Sequence, residues 1–115
     1  MNRDFLDYVE DLMDAVLKVE EFTRDMEYED FVRDDKTVFA VVRALEIMGE
    51  AVKRLPPAVK NRYPAIAWKD IAGMRDKLTH EYFGVNLRVI WDTAKQDIPT
   101  LRPLMQKLLD DFREK

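Results

Sequence analysis

Cysteine and serine are absent from this 115-residue chain, histidine occurs once, and there are only three glycines. Without cysteine neither a disulfide nor a thiolate metal site can form, and one histidine does not supply the three or four ligands of a zinc centre. Glu46 and Glu50 stand at i, i+4, but no Glu-x-x-His partner accompanies them, so a di-iron bundle is excluded as well. The lack of serine removes the Ser-His-Asp triad, and no glycine-rich phosphate loop is present. No cofactor or metal is therefore expected. Scarce glycine, 37% charged residues and evenly spread apolar residues indicate a helical protein long enough to bury a core, and a single domain over residues 1–115 is expected. The opening MNRDFLDYVEDLMDA places acids among its apolar residues, unlike a signal peptide or a membrane span, so a cytoplasmic protein without membrane attachment is expected.

The net charge is −4, but it is unevenly laid out. Residues 1–35 hold 4 basic and 13 acidic side chains, residues 36–77 hold 9 and 4, and residues 78–115 hold 6 and 6. The acidic total speaks against a generic nucleic-acid binder, whereas the basic middle leaves room for a local anion site. Lys53, Arg54, Lys60 and Lys77 fall there, and they also read as an ordinary solvated surface.

Apolar spacing of three and four sets out the helices. Phe5, Val9, Leu12, Val16 and Val19 define an amphipathic helix from Arg3 to about Arg24. The polar EYEDFVRDDK around Phe31 reads as a short helix or turn leading to an N-cap at Asp34 or Asp35. A second long helix follows on the stripe Val38, Val41, Val42, Leu45, Met48, Val52 and Leu55, and Pro56-Pro57 stops it. Gly49 within it suits a close helix crossing. A helical turn at Ala58 to Arg62 precedes a third main helix that begins at Trp68, with core positions Ala67, Ile71, Met74 and Leu78. Gly84 and Asn86 mark that helix's end and the next one's cap. The last pattern, Leu87 through Phe112, keeps its phase across Pro99, so either one helix kinks there or a new one starts with Pro99 in its first turn. Met48, Met74 and Met105 lie on core stripes, and Trp68 and Trp91 need a partner for the indole N–H at the bundle edge. No stretch alternates with period two. The expected architecture is all-α, an up-and-down bundle of four main helices plus short ones.

Chemistry concentrates in MRDKLTHEYFGV, which carries the lone His80 with Arg75 before it and Tyr82 after. On a straight helix residues five apart lie about 140° apart, so Arg75 and His80 flank the core stripe, while Arg75 and Tyr82, seven apart, share a face. Joint action of Arg75 and His80 on one phosphate needs a distorted helix, a long reach by the arginine, or two copies of the segment meeting. A lone histidine by a helix end also serves as a cap or a packing group. The reaction that suits Arg plus His without a metal is RNA cleavage by the 2′-hydroxyl. Imidazole moves protons near neutral pH and guanidinium holds the phosphate with paired charge-assisted hydrogen bonds. A base and an acid are both wanted, and a two-fold dimer supplies the second histidine.

The segment RDKLTHEY, as Arg75-x4-His80-x-Tyr82, resembles the Arg-x4-His-x-Tyr signature of the HepT-like toxins within the HEPN superfamily of helical ribonucleases. AVVRALEIMGEAVKRLP (residues 40–56), YPAIAWKDIAGMRDKLTHEYFGVNLRVIWDT (residues 63–93) and DIPTLRPLMQKLL (residues 97–109) resemble that family in wording and order. The resemblance implies a HEPN-like bundle, dimerising through the motif helices to form a composite, metal-independent endoribonuclease site on RNA. By carry-over Arg75 and His80 are the catalytic pair and Asp76 a supporting residue. Tyr82 matches the tyrosine that accepts AMP from a minimal nucleotidyltransferase antitoxin, the implied partner of a toxin–antitoxin pair. Glu50 is a candidate for holding Arg75. A binding module that docks a nucleotidyltransferase or nucleotide without cutting RNA is the alternative reading, and a dimeric scaffold a third.

Overall fold

Asp4 accepts a hydrogen bond from the Leu6 amide at 3.4 Å and so starts α1, Phe5–Phe22, one acidic residue after the expected boundary. Then come α2 (Tyr28–Arg33), α3 (Asp35–Lys53), α4 (Pro57–Arg62), α5 (Trp68–Glu81), α6 (Leu87–Asp92), a π-helical turn at Thr93–Asp97 and α7 (Ile98–Arg113). The computed structural model describes residues 4–81 and 86–113; within α5 the side chains of Arg75, Lys77, Thr79, His80 and Glu81 lie outside that description. Among the described residues there is no β-strand, and the fold is an all-α bundle of α1, α3, α5 and the α6–α7 rod, with α2 and α4 as short connectors.

Caps explain most boundaries. The Asp34 carboxylate accepts from both the Thr37 amide, at 3.0 Å, and the Thr37 hydroxyl, at 2.8 Å, which fixes the start of α3. These bonds, backbone first, hold the Asp34 carboxyl below the usual aspartate range. Asn86 plays the same role for α6, accepting from the Val89 amide at 3.3 Å. Pro57 takes the first position of α4, where its missing N–H costs nothing. The expected glycine stop at Gly84 lies outside the described residues.

The core runs along α1 and α3 and closes on α7. Val9, Leu12, Val16 and Val19 from α1, Val41, Leu45, Met48 and Val52 from α3, and Ile98, Met105 and Leu108 from α7 are fully or almost fully buried. Small residues on α3, Ala44, Gly49 and Ala51, are buried too, so its backbone approaches its neighbours closely. Two ion pairs join α1 to α7, Glu20 to Arg102 at 2.8 Å and Glu10 to Arg113 at 3.3 Å, and their order shows that these helices run antiparallel. Six-residue α2 is too short to persist by itself. Phe31 anchors it, fully buried, with its ring centroid 5.2 Å from that of Trp91 on α6, while Tyr28 meets the same indole edge-on at 6.2 Å.

Two expectations are revised. Ala67 was assigned to the core, yet it is exposed and Ile66 is buried instead. A turn in which the Ile66 amide donates to the Tyr63 carbonyl at 3.1 Å swings Ile66 inward, and the Ala67 carbonyl accepts the first bond of α5 from Ile71. Met74 and Leu78 are half-buried rather than core. Around Pro99 the chain stays helical by widening. The Ile98 amide donates to the Thr93 carbonyl, five residues back, so the π-turn absorbs the register ahead of a proline that has no N–H and crowds the carbonyl four residues before it. The Trp68 indole N–H finds its partners in the carbonyls of Lys60, at 3.0 Å, and Tyr63, at 3.1 Å, at the end of α4.

Phe31→Ala removes a fully buried ring and should cost about 3–5 kcal/mol in denaturant unfolding. Gly73 on α5 has open space where a Cβ would sit, so Gly73→Ala should raise stability by about 0.5–1 kcal/mol in the same measurement.

Tyr63 donates its phenol to Asp111 on α7 at 2.8 Å, and burial, then that hydrogen bond, push its pKa up. Its folded pKa lies above its unfolded one, so its stabilising contribution is complete below the unfolded value of about 10 and fades as pH rises through the folded value. Ultraviolet titration should show a step for Tyr63 above the ordinary tyrosine range, and Tyr63→Phe should erase it.

Candidate functional site

The motif lies on α5, which packs along α3. Among its described side chains Ile71 is buried, and Trp68, Ala72, Met74 and Leu78 pack half-buried against the core, while Lys69, Asp70, Gly73 and Asp76 are exposed. Arg75 and His80 both lie within its helical span. Their side chains, and Tyr82 as a whole, lie outside the described residues, as does the expected hold of Glu50 on Arg75. Asp76 is exposed, its carboxylate 3.8 Å from Lys53 Nζ at the end of α3. That pair is loose and solvated, the surface charge pairing that such a residue has on any helix.

Beside this helix the outer face of α3 forms a groove with α1. It carries Arg43 and Arg54 together with Asp11, Glu46 and Glu50, and Glu50 reaches Arg54 at 3.2 Å. Mixed signs make it a poor bed for a polyanion, so the basic surplus of residues 36–77 does not assemble into one phosphate track here. Among the described residues no group of three His, Cys, Asp or Glu is placed to hold a metal ion, and no helix is long and apolar enough to cross a membrane.

A cleft that the sequence did not announce separates the first half of α5 from the π-turn and α7. Its volume is about 250 Å³, Met48 and Ile71 form its floor, and Asp70 and Asp97 stand on opposite walls. Nothing in the sequence singles out these two acids, which stand on different elements. Only the π-turn, which has no clear sequence signature, brings Asp97 to the wall.

An all-α bundle that carries Arg-x4-His on a peripheral helix defines a class of helical nuclease-like proteins, and comparison with known proteins gives the family. The family described as "Ribonuclease HepT-like" matches residues 12–108, the whole motif included. The chain is 53% identical over 108 residues to "Probable ribonuclease HepT" of Thermococcus cleftensis, covering 94% of this chain and 98% of that protein. It is 43% identical over 112 residues to "Putative RNase MJ0125" of Methanocaldococcus jannaschii, covering 97% and 90%. It is also 45% identical over 102 residues to "Putative RNase TTE0752" of Caldanaerobacter subterraneus subsp. tengcongensis, covering 89% and 91%. No solved structure matches the chain. The chain belongs to the HepT-like ribonuclease family.

Because the Lys53–Asp76 pair is exposed, Asp76→Asn should change unfolding stability by less than about 0.5 kcal/mol. A larger loss in any cleavage assay of that variant would then report on chemistry rather than folding. Thermal or denaturant melts of the variant beside the parent protein check the first half of that statement.

Proposed function

We propose that the chain is an endoribonuclease that cuts RNA without a metal, through attack of the substrate's own 2′-hydroxyl on the adjacent phosphorus. The observation that carries this reading is the joint presence of Arg75 and His80 on one helix of a HepT-like bundle, inside the span that matches the family. The names of the relatives, each a ribonuclease or RNase, support RNA as the substrate.

In this mechanism one His80 imidazole takes the 2′-OH proton while O2′ bonds to phosphorus. The bond to the 5′ oxygen breaks, and an imidazolium gives that oxygen its proton, leaving a 2′,3′-cyclic phosphate and a free 5′-hydroxyl. Arg75 holds the non-bridging oxygens as charge builds on them, work that suits a planar, permanently charged fork. Asp76 supports Arg75 from the neighbouring position. Since each chain has one histidine, the acid and the base are the two His80 side chains of a homodimer. The protein acts as the toxin of a toxin–antitoxin pair, silenced by a nucleotidyltransferase antitoxin that transfers AMP from ATP to the Tyr82 hydroxyl with release of pyrophosphate. Tyr82 is seven residues from Arg75, on the same helical face if the helix continues, so the added phosphate would compete for the guanidinium.

Cleavage by purified protein should persist in EDTA and leave a cyclic phosphate end. His80→Ala and Arg75→Ala should each lower the rate by roughly 10²-fold or more while the circular dichroism melt is unchanged. Activity that vanishes in chelator and returns with a divalent ion would overturn the mechanism.

Incubation with the partner nucleotidyltransferase and ATP should add one AMP mass to the peptide holding Tyr82. An adduct that survives in Tyr82→Phe removes the regulatory assignment.

A further inference from the structure

We propose that the cleft between α5 and α7 receives one nucleobase of the RNA, and that it accepts bases bearing an exocyclic amino group and rejects uracil. This deepens the ribonuclease reading and rests on it. The cleft holds about 250 Å³, below the ~300–1,000 Å³ of pockets that enclose drug-sized ligands, so it fits a single ring system rather than a whole nucleotide. Its faces are apolar and soft. Met74 of α5 lines one side and Leu101 and Leu104 of α7 the other, above the floor of Met48 and Ile71, and the Met74 thioether suits an aromatic ring.

The side-chain polar groups left free in the cleft accept and do not donate. Asp70 and Asp97 are exposed at the cleft's rim, where neither has a hydrogen-bond or ion-pair partner among the described residues, so both are open to a ligand that displaces their water. The two hydroxyls nearby have already committed their protons, Thr93 to the Val89 carbonyl at 2.9 Å and Thr100 to the Gln96 carbonyl at 3.1 Å. Side chains that can only accept call for a ligand that donates. Adenine, cytosine and guanine each carry an amino group on the edge exposed in single strands, and a carboxylate accepts from it. Uracil offers a single donor there, N3–H, flanked on both sides by carbonyl oxygens, so a carboxylate that accepts from it is brought against a second acceptor whichever way it approaches. A phosphate is repelled by the same pair, so the backbone stays outside and the ring enters. Met74, which lines the cleft, immediately precedes Arg75 on α5, about 100° round the helix, and the proposal assigns the seated base to a nucleotide beside the phosphate given to Arg75.

The test uses DNA oligonucleotides carrying a single ribonucleotide, so that one linkage is cleavable, with each base placed in turn on either side of it. At one of the two positions uracil should be cut roughly tenfold more slowly than the amino-bearing bases. Asp70→Asn and Asp97→Asn each put an amide donor in place of a carboxylate oxygen, and each should bring that ratio towards one. Equal rates for all bases in the unaltered protein, or an unchanged ratio in both variants, overturns the proposal. If no oligonucleotide is cut, the ribonuclease reading fails on its own. Fluorescence anisotropy with uncleavable 2′-O-methyl tetranucleotides then decides the cleft. Tighter binding of adenine and cytosine tetramers than of uracil, lost in the aspartate variants, upholds it, and equal or absent binding overturns it. Leu104→Arg fills the cleft with a guanidinium and should abolish the base preference. A preference that survives this change overturns the proposal, and loss of a dimer from the same variant in sedimentation would then name a second copy of the chain as the occupant.

Discussion

The packing of α3 against both α1 and α5 is the contact on which everything functional here depends. Its buried residues Val41, Val42, Ala44, Leu45, Met48, Gly49, Ala51 and Val52 cover more than one face of the helix, which lets it support a neighbour on either side. Helix α5 has far less to hold it. It spans fourteen residues, near the length at which an isolated helix is marginal in water, and Ile71 is the buried anchor among its described side chains. The motif residues are therefore carried by a helix held by Ile71 and by the half-buried Trp68, Ala72, Met74 and Leu78 that pack against the core. Substitutions on the inner face of α3 should reach Arg75 and His80 through α5 without touching either of them.

The far wall of the bundle is made differently. Where α1 and α3 rely on interlocking aliphatic side chains, α6 is fixed by an aromatic cluster in which Trp91 meets Phe31 and Tyr28, with Lys95 Nζ 5.2 Å above the indole. Lys95 also donates to the Thr23 carbonyl at 3.1 Å, which ties the π-turn to the end of α1. A π-turn is weaker than the α-helix it interrupts, and these side-chain contacts hold the widened segment in one geometry. Pro99 makes the widening worthwhile, because a regular helix through this position would press its ring against the Lys95 carbonyl.

Much of this was legible in the residues themselves. Capping chemistry at Asp34 and Asn86, the stop at Pro56-Pro57 and the stripes of α1 and α3 follow from local rules that tertiary contacts did not override. Ala67 was misplaced because helical phase was carried one residue too far back, into a turn whose backbone hydrogen bonds answer to Tyr63 rather than to the helix. The π-turn stayed hidden for a related reason: a five-residue step differs from a four-residue one by less than side-chain periodicity can resolve over a single turn. Asp70 and Asp97 could not be paired from sequence, since only the three-dimensional path of α7 sets them across one cleft. The candidate site was legible as a motif and not as a geometry, because side-chain spacing along one helix leaves open whether Arg75 and His80 meet within a chain or across two.

Charge order along the chain gives these parts a common logic. A protein that handles RNA must attract phosphate at one place and keep it from settling elsewhere, and a uniformly basic surface does the first without the second. Here the acids of residues 1–35 and the mixed groove on α3 deny the polyanion a broad landing area. The cleft beside α5 denies it again, with two carboxylates on its walls and its two threonine hydroxyls donating to backbone carbonyls. The proposed mechanism gives phosphate to Arg75, whose neighbour in sequence, Met74, lines the cleft. In the proposed mechanism adjacent residues on one helix divide a nucleotide between them, its phosphate to a guanidinium and its ring to an apolar, accepting wall. On this arrangement discrimination comes from where the chain refuses phosphate as much as from where it binds it, which is how an acidic protein can act on a polyanion without general affinity for nucleic acid.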